Sequence, residues 1–162
     1  MDKNLAAEIG KLLKKSRQTL AIAESCTGGL VSSAITEVPG SSGYFLGAVI
    51  AYHDRVKSSV LGVPRTLLER YGAVSAKSAQ SLAERARKKL DSDYGLAVTG
   101  IAGPSGGNPI KPVGLVYISL ASREGTITKK FSFKGRRRSV RSQAAQKALA
   151  LLKKTLLSKP GS

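Results

Sequence analysis

A hydroxyl at Ser25, an amine at Lys57 and a phenol at Tyr52 are the side chains of this sequence best suited to covalent chemistry. Ser25 stands in Glu24-Ser25-Cys26-Thr27-Gly28-Gly29, between a short apolar run (19–23) and a stretch (27–37) that reads as a helix. A hydroxyl at such a junction meets backbone N–H donors and the positive end of a helix dipole. The same donors can hold the oxyanion of an acyl transfer. The position equally suits a plain N-cap serine, a role Thr27 could also fill. A nucleophilic serine needs a base, and the one histidine, His53, makes a Ser-His-Asp triad hard to build. A Ser–Lys or Ser–Lys–Tyr set does the same work. Its lysine must first lose a proton, which requires its pKa to fall from about 10.4 toward roughly 7–8. Burial and neighbouring cations such as Arg55 push it that way. The plainer alternative for Lys57 is a solvated surface lysine. Cys26, the lone cysteine, is either a thiolate activated by a helix N-terminus or a buried, inert thiol.

Two further segments invite a ligand. Thr99-Gly100-Ile101-Ala102-Gly103-Pro104-Ser105-Gly106-Gly107 follows an apolar run, and its glycines let backbone N–H groups approach an anion. Irregular stretches this long inside a compact domain are more often functional than not. Arg136, Arg137, Arg138 and Arg141 crowd the start of the last helix, where cations oppose the dipole and a bound phosphate would relieve them. A solvated basic turn is the alternative. Gly28-Gly29 lacks the interval of a dinucleotide fingerprint, and no G-K-[ST] closes a Walker loop. No His, Cys or carboxylate group has metal-ligand spacing.

The elements that must position these residues follow from periodicity and breakers. Residues 4–16 read as a helix with Leu5, Ile9 and Leu12 on one face. Strands are expected at 19–23, 44–52, 94–99, 113–121 and 126–133, the last two joined as a hairpin through 122–125. Helices are expected at 27–37, around 54–61, at 65–71, from an N-cap at Ser75 to Leu90, and at 137–157. The final helix turns Val140, Ala144, Ala148, Leu151 and Leu152 inward, and 158–162 is expected to fray. Alternating strands and helices followed by a hairpin predict one α/β domain, a three-layer α/β/α sandwich on a mixed sheet with its core at 4–157. Ligands in such sheets gather beyond the carboxyl ends of the strands. Segments 24–29, 52–57 and 99–107 fall at those places.

The 162 residues are one ordinary domain, and 41% hydrophobic content supplies a core without staples. One unpaired cysteine fits a reducing compartment. No signal core precedes the first helix, and no apolar run nears the roughly 20 residues that span a bilayer. A soluble, cytoplasmic protein is the expectation. With 27 Lys+Arg against 10 Asp+Glu, the formal charge is +17. That field attracts polyanions without specificity, while 5% aromatics and no Trp argue against base-stacking platforms.

Taken in order, Ala23-Glu24-Ser25-Cys26-Thr27-Gly28-Gly29, Gly40-Ser41-Ser42, Tyr52 with Lys57, Leu61-Gly62-Val63, Gly72-Ala73-Val74-Ser75, Thr99-Gly100-Ile101-Ala102-Gly103-Pro104, Lys111-Pro112-Val113-Gly114 and Arg137 resemble the CinA C-terminal domain, or nicotinamide-nucleotide amidase, family. The resemblance covers about residues 4–155. It implies hydrolysis of nicotinamide mononucleotide to nicotinate mononucleotide and ammonia, with no metal or redox cofactor. It implies Ser25 as nucleophile with Tyr52 and Lys57 as activating partners, and the backbone near Thr27, Gly28 and Gly29 as the oxyanion site. It places Ser42, Thr99, Gly100 and Gly103 at the substrate and Arg137, or Arg141, on the phosphate. It also implies a homo-oligomer. Many members carry an acidic residue before the arginine matching Arg137, where this chain has Arg136. Larger members add an N-terminal molybdopterin-binding-like domain, so a stand-alone amidase is expected. The competing expectation is a non-catalytic module of the same fold whose basic surface contacts nucleic acid or a DNA-processing partner.

Overall fold

The computed structural model describes residues 3–158. The described chain runs α1 (Lys3–Ser16), β1 (Leu20–Glu24), α2 (Leu30–Thr36), β2 (Phe45–Ile50), α3 (Asp54–Ser59), α4 (Arg65–Tyr71), α5 (Ala76–Lys89), β3 (Tyr94–Gly100), β4 (Leu115–Ser122), β5 (Gly125–Ser132) and α6 (Arg137–Leu157). A single 3-10 turn, Ser41–Gly43, precedes β2. The strands form one sheet in the order β2-β1-β3-β4-β5. β1 pairs in parallel with β2 and β3, whereas β3, β4 and β5 are antiparallel neighbours. The mixed α/β sandwich expected from the element pattern is the fold observed.

Alternation along the strands divides the core into two halves. Leu20, Ile22, Leu96, Val98, Ile118 and Leu120 face one side and pack against α1, α2 and α6. Ala21, Ala23, Ala97 and Ala121 face the other, against Leu82, Ala83 and Ala86 of α5. Large residues fill the first side and small ones the second, so α5 lies close to the strands. The approach is tightest at Gly95, where a Cβ would stand 2.1 Å from the Ala83 carbonyl oxygen. Ser75 caps α5 as expected, its Oγ accepting from the Ser78 N–H at 3.1 Å.

Several boundaries differ from the sequence expectation. The helix expected at 27–37 begins only at Leu30, because Gly28 (φ 57°) and Gly29 (φ 98°) adopt left-handed conformations that a right-handed helix excludes. Residues 51–53 leave the second strand as a connection, and the irregular segment after β3 extends from 101 to 114. Ser158 ends α6, and the rest of the tail expected to fray, 159–162, lies outside the described residues. Among the described residues, no helix is long and apolar enough to cross a membrane.

The order 2-1-3 makes β1 the strand from which the chain departs to both sides. The crevice beyond the carboxyl ends of β1 and β3 is therefore a switch point of the sheet. Ser25 follows β1 there, and Thr99-Gly100 ends β3 beside it.

Candidate active site

Buried Glu24, the last residue of β1, organises the turn that carries Ser25. Its Oε2 accepts from the N–H groups of Gly29 (2.9 Å) and Val31 (3.2 Å), and its Oε1 from the Ser32 N–H (2.8 Å) and hydroxyl. The carboxylate thus takes the capping role for α2, whose N-cap residue, Gly29, has no side chain to do so. Ser25 is relieved of that role. Its N–H donates to the Val98 carbonyl at 3.0 Å, which ties the turn to β3, and no described residue hydrogen-bonds its Oγ. Thr27 does not cap α2 either: it is fully buried and its Oγ1 has no partner.

Ser25, Cys26, Tyr52, Asp54, Lys57, Ala73, Val74, Thr99, Gly100, Ala102 and Arg137 line one cavity of about 170 Å³. Five separated stretches of chain thereby meet. Lys57 reaches it from α3 and is 1% exposed. A buried ammonium must be paired, and Nζ donates to Asp54 Oδ1 at 2.9 Å and to the Tyr52 carbonyl at 3.3 Å. The surface-lysine alternative is therefore removed. Tyr52 contacts Lys57 through this backbone oxygen; its phenol instead accepts from Arg137 Nη2 at 2.8 Å. Arg137 Nη1 donates to the Gly103 carbonyl at 2.9 Å, so the guanidinium bridges two loops at the cavity rim.

Thr99 is 1% exposed, and its Oγ1 donates to the Ala73 carbonyl at 2.9 Å. Lys111 Nζ donates to the Tyr71 carbonyl at 2.8 Å, and the hydroxyls of Ser75 and Ser78 donate to the Gly72 carbonyl at 3.0 and 2.6 Å. Three successive carbonyls are held by side chains, which fixes the Ala73–Val74 wall. Gly100 is required for close packing: a Cβ there would stand 2.6 Å from Val116 Cγ2.

Gly28, Gly29, Arg141 and Ser42 are expected site residues that do not line this cavity. The Gly28 and Gly29 N–H groups are occupied by the Ser25 carbonyl (3.1 Å) and by Glu24. The N–H groups of Cys26 and Thr27 donate to no backbone oxygen, and both bear on the Cys26 sulfur. Arg141, one helical turn beyond Arg137, donates from Nε to the Cys26 carbonyl (3.1 Å) and from Nη2 to the Thr27 carbonyl (2.6 Å). Its guanidinium braces the turn that carries Ser25 and does not line the cavity. Ser42 sits just before β2, beside Tyr44, whose carbonyl accepts from the Leu20 N–H at the start of β1. Because β1 and β2 are parallel, a residue entering β2 lies at the end of the sheet opposite one leaving β1. Within this chain Ser42 is remote from Ser25.

Burial, the largest cause, pushes the Cys26 thiol up to about 11. The thiol form therefore dominates near neutral pH, and the residue is 5% exposed. Alkylation by iodoacetamide is expected to be slow at about pH 7 and to accelerate only as pH rises toward 11. If Ser25 is the nucleophile of a hydrolysis, Cys26→Ser keeps the rate within about threefold of the parent chain. Loss of that activity would return the thiol to consideration as nucleophile.

Residue pattern alone assigned no role in the site to Glu24, Asp54 or the Ala73–Val74 wall, though Glu24 and Ala73-Val74 stand in the sequence motifs. Asp54 carried one signal, its spacing three residues before Lys57 at a helix start.

The fold and the cavity define an α/β domain with a buried serine–lysine site at the switch point of its sheet. A family model described as the CinA C-terminal domain matches residues 2–156. A CinA-like protein of Geotalea daltonii is 49% identical over 152 residues, covering 94% of this chain and 37% of that protein. A CinA-like protein of Prochlorococcus marinus subsp. pastoris is 52% identical over 127 residues, covering 78% and 29%. The chain thus spans about a third of the length of the curated relatives it matches. The crystal structure of the competence/damage inducible protein CihA from Agrobacterium tumefaciens superposes with a TM-score of 0.93 at 34% identity, covering 96% of this chain and 95% of that one. The competence damage-inducible protein A from Klebsiella pneumoniae superposes with a TM-score of 0.94 at 31% identity, covering 98% of each. The chain belongs to the CinA C-terminal domain family.

Proposed function

We propose that this chain hydrolyses the carboxamide of nicotinamide mononucleotide, giving nicotinate mononucleotide and ammonia, with Ser25 as nucleophile. One observation carries the reading: a buried lysine and a serine without another role share one small cavity whose rim is an arginine. A cavity of about 170 Å³ is below the roughly 300–1,000 Å³ that encloses a drug-sized ligand. It suits the reacting carboxamide and its ring, with the phosphate outside at Arg137. There a phosphate would replace the Tyr52 hydroxyl and Gly103 carbonyl as the partner of the guanidinium.

In the proposed sequence, Lys57 in its amine form takes the Ser25 proton as Oγ attacks the carboxamide carbon. The oxyanion forms near the N–H groups of Cys26 and Thr27. Collapse expels ammonia, which carries away the proton held by Lys57. Water then adds to the ester at Ser25 with Lys57 again accepting a proton; collapse breaks the ester bond, Lys57 returns that proton to the Ser25 oxygen, and nicotinate mononucleotide leaves.

The test is ammonia release by the purified chain between about pH 6 and 9. Turnover of nicotinamide mononucleotide is expected, with a KM raised at least about tenfold for the nucleoside lacking the phosphate. No turnover of either compound would remove the amidase reading.

A further inference from the structure

Lys57 and Asp54 form an ion pair of unequal members. The lysine side chain is 2% exposed, whereas the carboxylate is 57% exposed and keeps much of its water. The ammonium depends on its two acceptors, Asp54 Oδ1 and the Tyr52 carbonyl. We propose that Asp54 is a positioning residue that governs the protonation of Lys57 and so sets the pH at which the site becomes active. The catalytic half of this proposal rests on the reading of Lys57 as the base.

Among the described groups lining the cavity, Asp54 is the one whose charge favours the ammonium. From the β1–α2 turn, Ser25 and Cys26 face the cavity with an uncharged hydroxyl and a protonated thiol. β3 contributes the Thr99 hydroxyl, turned to Ala73. α6 contributes the Arg137 guanidinium, a cation that favours the neutral amine. Tyr52 adds a phenol bound to that guanidinium, and His53 is turned to the Arg55 N–H. The Glu24 carboxylate, beside Ser25 in the sequence, is turned away to Gly29, Val31 and Ser32. On its outer side Asp54 shares a surface depression with Arg55, Arg65 and Glu69. Asp54 is thus the one carboxylate lining the cavity with Lys57, and it opposes the cation across it. An opposite charge at hydrogen-bond distance stabilises the ammonium and raises the pH at which the amine appears.

Asp54→Asn keeps an oxygen that can accept from Nζ and removes the charge. The acid limb of kcat/KM should move to lower pH by about one unit or more. Below the limb, that is a gain of about tenfold over the parent chain. Asp54→Glu should return the limb toward its original place. A second readout does not use activity: the Lys57 side-chain resonances of isotopically labelled protein, followed against pH and assigned with Lys57→Arg. Their midpoint should fall by the same amount in Asp54→Asn. Midpoints unmoved within about 0.3 unit would overturn the proposal whether or not the chain turns over substrate. Resonances that shift while the rate profile stays fixed would leave the pairing standing and overturn Lys57 as the base, and with it the amidase mechanism.

Discussion

Ser25→Ala is expected to lower the proposed ammonia release from nicotinamide mononucleotide by roughly a thousandfold or more, with the thermal midpoint within about 2 °C of the parent chain. The two halves of this expectation have separate physical grounds. Loss of the nucleophile removes the acyl-enzyme route, leaving only what binding and the oxyanion donors provide for direct attack by water. Stability is spared because no described residue hydrogen-bonds the Ser25 hydroxyl, and Glu24 supplies the cap of α2. The bonds that hold the turn, from the Ser25 N–H to Val98 and from the Gly28 N–H to the Ser25 carbonyl, are backbone bonds that alanine keeps. A variant retaining more than about a tenth of the parent rate would end the case for Ser25 as nucleophile.

Glu24→Ala has the opposite profile and is expected to destabilise the fold by about 3 kcal/mol or more. The change removes a 1% exposed acceptor from three backbone N–H groups and the Ser32 hydroxyl. Charge-assisted bonds of this kind contribute about 1.5–3 kcal/mol each, and donors left without partners inside the fold add their own penalty. At roughly 2–4 °C per kcal/mol for a chain of this size, the thermal midpoint falls by about 6–12 °C. Glu24→Gln discriminates further. Its carbonyl can serve either the Gly29 and Val31 pair or the Ser32 pair, while its amide faces the other as donor against donor. An intermediate loss of about 1–2 kcal/mol is expected. A melt of Glu24→Ala within about 1 °C of the parent chain would show that the carboxylate is dispensable to the turn.

Residue type and junction made part of this site legible from the sequence. Ser25 between an apolar run and a glycine pair, Lys57 at a helix start and Thr99 at a strand end all fall at carboxyl ends of parallel strands, and the cavity brings them together. What the sequence concealed depends on direction and partner. A carboxylate ending a buried strand carries no local sign that its oxygens turn back onto the next helix. Arg137 and Arg141 read alike near the start of α6, yet only the strand and loop arrangement sends Arg137 to the cavity and Arg141 to the Cys26 and Thr27 carbonyls. Tyr52 and Arg137 are 85 positions apart, so the bond between them has no periodicity to announce it. Ser42 lies apart from Ser25 within this chain for a topological reason, since two parallel strands put the entry to one and the exit from the other at opposite ends of the sheet. The boundary of α2 was misplaced because helical propensity says nothing of the left-handed glycines ahead of Leu30.

α6 covers the larger half of the core and also delivers Arg137 to the cavity rim and Arg141 to the nucleophile turn. As the chain emerges in order during synthesis, Ser25, Lys57 and Thr99 are all present before either arginine exists. Until α6 docks, the turn after Ser25 lacks its brace, and Leu20, Ile22, Leu96 and Val98 lack part of their cover. The same docking event that hides the last apolar face therefore completes the site. A chain whose α6 has not docked exposes that hydrophobic surface and lacks both arginine contacts.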